Sequence, residues 1–386
     1  MKRIGHLWEQ FENMDTAIEA IEQGTRHKHG ERVIRRKLCY DSNDPKLHGR
    51  LDPEKVNAYT GDILAMIRSG WEHGQMREKT IHPIRGKVRQ IASPRLKDHI
   101  VHWMLVLAIK EPLTRGMYEH SYGSIPGRGI EGARKTVERW VQHDKKAKYF
   151  VKLDIRKFYP NVDQNILKAK FRRKIKDEKI LGVIDRVIEC VPKGLPIGTY
   201  TSQWFANFYL QDMDHYIVQD LHKTRRGKRI PFVRHYMRYM DDMLLMGTSK
   251  RDLKKAVNAV ILYAREMLNL EIKTSWEIRS IAEDRHESGA AVDIVGYRFY
   301  RRRTEIRGTI FLHARRVMAK AVKHLKRFGN ICLYHAQSLL SLYGWMRHAQ
   351  IRAFTTRFFS QIPIRTLKGA ISIETTDGTF YATQYL

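Results

Sequence analysis

The sequence predicts an α+β fold: a small antiparallel sheet with acidic residues at one end, enclosed by helices that dominate both ends of the chain. Three observations predict it. Tyr239-Met240-Asp241-Asp242 sets two adjacent carboxylates between the apolar runs 232–237 and 243–246, which read as two short strands joined at a tight acidic hairpin. In Tyr149-Phe150-Val151-Lys152-Leu153-Asp154, Val151 and Leu153 alternate with polar or aromatic neighbours, which is a strand carrying Asp154 near its end. Apolar residues at helical spacing fill the N-terminal stretch and the residues after Gly308.

Taken in order, Ile4, Leu7, Trp8, Phe11, Met14, Ile18 and Ile21 predict one N-terminal helix packed on a core. Residues 24–53 are polar and basic and read as a loop or insertion. Pro53 opens a second helix that runs to Arg68, because proline is tolerated in a first helical turn. Helices are expected again after Asp163 and through Cys190. Beyond Gly308 the apolar positions Leu312, Val317, Ala321, Leu325 and Phe328, then Leu339, Leu340, Leu342 and Tyr343, predict a helical C-terminal region. Gly127-Arg128-Gly129-Ile130-Glu131-Gly132 fits G-x-G-x-x-G and opens a helix. A dinucleotide site also needs a buried strand before it, and Glu119 to Tyr122 with Pro126 make a poor one. These glycines instead let the backbone approach phosphate groups closely.

The chain has 386 residues, of which 42% are hydrophobic, enough for a large core with two or three subdomains. With 71 Lys and Arg against 41 Asp and Glu, it carries a formal charge of +30. No packed fold requires that excess; it favours a polyanion, and phosphate backbones gain from counterion release. Acidic proteins and anionic membranes share the preference. The cations are dispersed at 32–36, 172–176, 225–229, 301–303 and 315–327, unlike a basic tail, and aromatics such as Phe299-Tyr300 sit beside them. Cys39, Cys190 and Cys332 are far apart and show no zinc spacing, which suits a reducing compartment. His99 and His102 lack a completing ligand set, so packing or polyanion contact explains them better than metal. The longest apolar run, 100–109, is too short to span a bilayer, and Met1-Lys2-Arg3 leads into an amphipathic helix. No membrane role and a cytoplasmic location are expected.

A bare Asp-Asp pair is most simply a turn between solvated strands. The distant Asp154, with Tyr159 five residues after it, makes instead the layout of a nucleotidyl-transferase palm. Hard divalent cations take oxygen ligands, and phosphoryl transfer uses two of them about 3.5–4 Å apart. Asp154, Asp241 and the backbone carbonyl of Ile155 are the candidate ligands. Asp242 holds its place less directly, because neighbouring strand residues face opposite ways.

Tyr239-Met240-Asp241-Asp242, preceded by Leu153-Asp154-Ile155-Arg156-Lys157-Phe158-Tyr159-Pro160, resembles the reverse transcriptase family. Further blocks follow the family's order: Gly86-Lys87-Val88-Arg89-Gln90-Ile91 resembles the basic fingers motif, and Ser121 to Gly129 resembles the second block of bacterial members. Leu268 to Thr274 and Val292 to Tyr297 are similar to the blocks that close the palm. The resemblance implies a right-hand polymerase fold. It divides the chain into an N-terminal helical extension (1–70), fingers (71–147), a palm (148–308, with a fingers return at about 164–197) and a short helical thumb (309–386). It implies RNA-directed DNA synthesis with two Mg²⁺, for which Mn²⁺ can substitute. Asp154, Asp241 and Asp242 would be catalytic. Lys87 and Arg89 would hold the triphosphate, Tyr159 would exclude a ribose 2′-hydroxyl, and Lys273 would protonate pyrophosphate. The implied partners are an RNA template, its RNA/DNA duplex and deoxynucleoside triphosphates.

Gly194-Leu195-Pro196-Ile197-Gly198-Thr199-Tyr200-Thr201-Ser202-Gln203 refines the resemblance. Most bacterial members carry Gln-Gly-x-x-x-Ser-Pro here. The Ile-Gly-x-x-x-Ser-Gln form, with Gly344-Trp345-Met346-Arg347-His348, resembles the enzymes of diversity-generating retroelements. That block, including Ile197, Gly198 and Gln203, lies under the templating base in the family. Ile197 removes an amide that could steady the nascent pair; such a bond is worth about 1 kcal/mol, and ~1.4 kcal/mol is a tenfold change in discrimination. The resemblance therefore implies errors opposite template adenine, and a small basic oligomeric accessory protein as partner. Simple packing of Ile197 on the fingers is the alternative. Antiphage-defence reverse transcriptases share the same core, and a non-catalytic RNA-binding scaffold is a reading from another class. Retron enzymes fit less well, since their Val-Thr-Gly is missing.

Overall fold

The computed structural model describes residues 3–26, 28, 31–42, 44, 47–81 and 88–376. The expected single N-terminal helix is two, α1 (Leu7–Phe11) and α2 (Met14–Thr25). Asn13 lies between them in an extended conformation, and its side chain accepts the N–H of Asp15 at 2.8 Å, a cap that apolar spacing cannot reveal. Residues 24–53 are not simply a loop: they include helix α3 (Arg32–Leu38), anchored by buried Ile34 and Leu38, and a bridge from Cys39 to Leu51. Helix α4 (Pro53–Arg68) starts at its proline, with Asp52 accepting the N–H of Glu54.

Strands β1 (Arg77–Ile81) and β2 (Arg89–Ser93) form an exposed antiparallel pair. Behind them run α5 (Leu96–Ala108), α6 (Lys110–Thr114) and α7 (Ile130–His143). After β3 (Tyr149–Asp154) come α8 (Phe158–Asn161), α9 (Gln164–Lys174), α10 (Glu178–Ile188) and α11 (Tyr200–His215), which ends in a π turn. A small ribbon, β4 (His222–Arg225) and β5 (Lys228–Pro231), precedes the acidic hairpin of β6 (His235–Tyr239) and β7 (Asp242–Gly247). The first of those strands therefore begins three residues later than the apolar run beginning at Phe232 suggests.

Helix α12 (Lys250–Leu268) and strand β8 (Arg279–Ser280) follow, then a second sheet of β9 (Val292–Ile294), β10 (Tyr297–Phe299) and β11 (Thr304–Ile306). Four helices close the described chain: α13 (Gly308–Phe328), α14 (Leu333–Met346), α15 (Arg352–Phe359) and α16 (Ile364–Thr376). Val317, Ala321 and Leu339 are buried as their spacing predicts, but Leu312 and Phe328 are 45% and 56% exposed. Among the described residues, no helix is long and apolar enough to cross a membrane.

The sheet that matters runs β6-β7-β3-β8. Its alternation feeds two cores. Val151, Leu153, Tyr236, Met243 and Leu245 point into one, with Phe205, Leu253 and Val257 of the helices behind. Phe150, Met237, Leu244 and Met246 point into the other, with Val137 of α7, Phe299, Val317 and Leu339. Each such side chain taken from water contributes roughly 1.5–3 kcal/mol, so a one-residue slip would forfeit both faces. Burial fixes the register, and the register fixes the acids.

Candidate active site

Strands β3 and β7 pair antiparallel with Asp154 directly opposite Asp242. Cross-strand partners have Cα atoms about 4.5–5.5 Å apart, so residues far apart in sequence meet at one end of the sheet. Asp241 sits in the turn itself, after Met240, whose φ of +55° is left-handed. Because Asp241 is not a strand residue, strict alternation does not set it apart from Asp242. The charges of Asp154 and Asp242 both act on it.

A buried polar network holds this turn. Arg238, fully buried on β6, donates from Nη1 to the carbonyl of Met240 at 3.0 Å and to Asn207 Oδ1 at 2.9 Å. Its Nε and Nη2 donate to Asp214 of α11 at 2.7 and 2.6 Å, and Tyr236 adds a third bond to Asp214 at 2.7 Å. Asn207 in turn donates to the carbonyl of Gly123 at 2.7 Å. Gly123 packs so tightly on Met240 that a Cβ there would lie 2.6 Å from the Met240 nitrogen. Sequence reasoning missed Arg238, Asp214 and Asn207. The available signal was an arginine inside an apolar strand and an aspartate within an otherwise buried helix.

The acidic cluster is electrostatically uncomfortable. Burial raises the carboxyl of Asp241 above the usual range, and the charges of Asp242 and Asp154 push the same way. Burial also raises Asp242, with Asp154 adding to it while Lys152 and Arg307 oppose. Lys273 donates to Asp154 Oδ2, whereas Asp154 Oδ1 is buried with no hydrogen-bond partner. The bridge between Ile155 and Ile272 uses the carbonyl of Asp154 and the N–H of Arg156, which leaves the Ile155 carbonyl out of those bonds. Oxygen donors, crowded negative charge and an orphaned carboxylate oxygen together fit hard divalent cations. With Lys273 on Asp154, the acids do not close on one shared point among the described residues.

Tyr159 lies half-buried beside the acids. Burial raises its phenol above the usual value, and the Asp241 charge reinforces that while Arg89 opposes it. Leu195 donates to the Tyr159 carbonyl at 2.8 Å, and Gly194 (φ +70°) packs so closely that a Cβ would lie 2.5 Å from that oxygen. Arg89 is exposed on β2; Lys87 lies outside the described residues. The Ile197 side chain is half-buried, and its carbonyl accepts the N–H of Ala92 on β2 at 2.8 Å. Gly198 (φ +118°) has no room for a Cβ, which would collide with Ile91. Gln203 is exposed on α11. His102 is a packing residue: it is fully buried and bonds Thr201 at 2.8 Å and His73 at 3.0 Å. Tyr200 stacks on Trp103 at 3.6 Å, a second clamp on the start of α11.

Trp345 also finds its place. It fills the space over Gly296 (φ +83°) at the β9–β10 turn, where any Cβ would strike the indole, and its carbonyl accepts the Tyr297 hydroxyl at 3.1 Å.

Residues 76–275, just over half of the chain, match the family described as reverse transcriptase (RNA-dependent DNA polymerase). The retron Ec73 reverse transcriptase of Escherichia coli is 25% identical over 174 residues, which cover 43% of this chain and 51% of that protein. The group II intron-encoded protein LtrA of Lactococcus lactis subsp. cremoris is 28% identical over 144 residues, 34% of this chain and 23% of LtrA. The chain thus spans about half the length, or less, of these curated relatives. An apo telomerase structure from Candida tropicalis aligns over 90% of this chain and 71% of its own, with 14% identity and a TM-score of 0.47.

Proposed function

Because this chain belongs to the reverse transcriptase family, we propose that it is an RNA-directed DNA polymerase that copies a dedicated RNA template into cDNA. The observation that carries this reading is the register: Asp154 faces Asp242 across one strand pair, Asp241 caps the adjoining turn, and Asp154 keeps an unpartnered buried oxygen. The β1–β2 pair and α5 serve as fingers, the four-stranded sheet as palm, and α13 with the helices after it as thumb.

Asp154, Asp241, Asp242 and the Ile155 carbonyl are the candidate ligands of two Mg²⁺ or Mn²⁺ ions. When bound, these supply activation of the primer 3′-hydroxyl and neutralisation of the leaving pyrophosphate. Arg89 and Lys87 bind the β- and γ-phosphates, Arg89 with a guanidinium that can fork onto two oxygens. Tyr159, fixed from behind by Leu195 and Gly194, blocks a ribose 2′-hydroxyl and so selects deoxynucleotides. Lys273 leaves Asp154 and gives its Nζ proton to pyrophosphate. Ile197, Gly198 and Gln203 line the template side. Ile197 offers the nascent pair no amide, which supports error-prone copying of template adenine as in diversity-generating retroelements. A small basic oligomeric accessory protein belongs to the same reading.

A second reading, an antiphage-defence enzyme making DNA on a non-coding RNA or without a template, draws on the similarity to a retron reverse transcriptase. A template and variable repeat pair beside the gene would separate the two. Primer extension on RNA tests the shared core: Asp241→Ala and Asp242→Ala should each abolish synthesis. Undiminished synthesis in either variant would sink the assignment of these acids, and no synthesis by the wild-type chain would leave the RNA-binding scaffold.

A further inference from the structure

The β4–β5 ribbon has no part in the site just described, yet it concentrates charge. Lys223, Arg225, Arg226, Lys228 and Arg229 fall within seven consecutive residues, and 224–229 are all exposed. Arg226 (φ +50°) and Gly227 (φ +73°) form its tip, the left-handed pair that a tight two-residue hairpin requires. Among the described residues, Arg225, Arg226 and Lys228 have no hydrogen bond or ion pair to the rest of the protein. Arg229 is held at the base by His222 and by the carbonyl of Gln219.

The ribbon is not loosely attached. Lys223 pairs with Asp252 on the first turn of α12 at 2.6 Å, Phe232 donates to the Leu221 carbonyl at 2.8 Å, and Lys255 lies over the Phe232 ring. These contacts set it beside the exposed Arg251, Lys254 and Lys255, so one rigid surface carries cations from two elements. Asp220 and Asp252 are the nearby acids, and the second is already paired with Lys223. The surface lies at the far end of β6 from the catalytic turn: His235 is four residues before Tyr239, which places the ribbon's attachment roughly 13 Å or more from the acids. Cations there cannot serve the reacting phosphates.

We propose that the β4–β5 ribbon and the first turns of α12 form a second nucleic-acid site that grips the phosphates of a double-stranded segment of the template RNA. The inference rests on the RNA-copying reading above. A-form RNA keeps its bases deep in a narrow groove and is recognised mainly through shape, 2′-hydroxyls and phosphates. Unpaired arginines and lysines on a ribbon held at its base meet that need, and the narrow A-form groove keeps them on the phosphates rather than on base edges. A folded stem held there tethers the template, so the single-stranded part entering the cleft binds in an effectively intramolecular way.

The test compares two template-primers, identical except that one carries an RNA stem of about 16 base pairs beyond the copied region. The wild-type chain should bind the stem-bearing form on the order of tenfold more tightly. In Arg225→Gln, Arg226→Asn, Lys228→Gln combined, that advantage should vanish and the salt slope of stem binding should fall by about three. Asparagine tolerates the left-handed tip, and all three positions are exposed, so the fold is spared. Extension of the stemless template should be unchanged. A stem that adds nothing to wild-type binding, or an advantage that survives the triple substitution, overturns the proposal. So does polyglutamate displacing the stem as well as RNA of equal charge does, which would assign the surface to an acidic protein. Failure of the copying reading shows separately, as no extension of the stemless template by the wild-type chain.

Discussion

Arg238 and Asp214 form a two-armed ion pair with both side chains shut away from water, at 2.7 and 2.6 Å. The third arm of the same guanidinium reaches the carbonyl of Met240, one residue before Asp241. A strand, a helix and the acidic turn are therefore locked by one side chain. Removing one partner of such a pair leaves a buried charge alone and costs about 3–5 kcal/mol. Arg238→Ala should lower stability by that order in thermal or denaturant unfolding. Arg238→Lys keeps the charge but not the fork, so it should unfold nearer to wild type while requiring more Mg²⁺ for half-maximal extension. A lysine variant with wild-type metal dependence would reduce the network to packing.

The three carboxylates repel one another in the absence of a cation, and among the described residues only Asp154 is in a direct ion pair, with Lys273, while Lys152 and Arg307 act on Asp242 from further off. Binding of Mg²⁺ to the folded chain should raise its melting temperature, since a ligand at a hundred times its dissociation constant adds about 2.7 kcal/mol. In chelator, Asp241→Asn should melt above wild type, because it removes a like charge from a crowded site. Adding Mg²⁺ should then narrow or reverse that order. Lys273→Ala should cost less than about 1 kcal/mol of stability, because the pair is more than one-third exposed, and should lower the Mg²⁺ needed for half-saturation. Melting curves with and without the ion check all three outcomes.

Asp144 supplies a pH signature at the opposite end of the sheet. Burial pushes its carboxyl up, but Arg234 and His235 donate to it and hold it down at about 2. A carboxyl depressed by folding contributes stability that is present above the unfolded value and lost as pH falls towards the folded one. Asp144→Asn should therefore destabilise by about 1 kcal/mol at neutral pH. The gap between variant and wild type should close between roughly pH 4 and 2. A gap independent of pH would mean that shape, not charge, is at stake.

How much of this was legible beforehand depended on distance along the chain. Acids interrupting apolar strands announce themselves locally, so Asp154, Asp241 and Asp242 could be read, as could the proline that opens α4. The tie between Lys273 and Asp154 spans 119 positions, and that between Arg238 and Asp214 spans 24. No periodicity encodes either; they follow from the register that burial imposes. Asn13 splits a continuous apolar pattern because a cap depends on one residue's conformation. Leu312 and Phe328 match the helical period, yet both stay largely exposed, Phe328 meeting only His324 and Arg327 of its own helix among the described residues. Lys87 falls outside the described residues, whereas Arg89 is seen to lie where its charge reaches Tyr159.

Ile197 offers the sharpest functional prediction. Its carbonyl, not its side chain, bonds Ala92, so Ile197→Gln can restore an amide without disturbing the backbone that joins it to β2. If the missing amide underlies infidelity, the change should reduce misincorporation opposite adenine about tenfold, the equivalent of ~1.4 kcal/mol, and leave the other three template bases nearly unaffected. Gly198→Ala gives the contrast. With φ at +118° and Ile91 in the way, an added methyl must displace β2, and extension should fall on every template base alike. Sequencing cDNA made from an RNA template containing all four bases distinguishes the outcomes. Equal fidelity at all four bases in the wild-type enzyme would return Ile197 to the role of a packing residue.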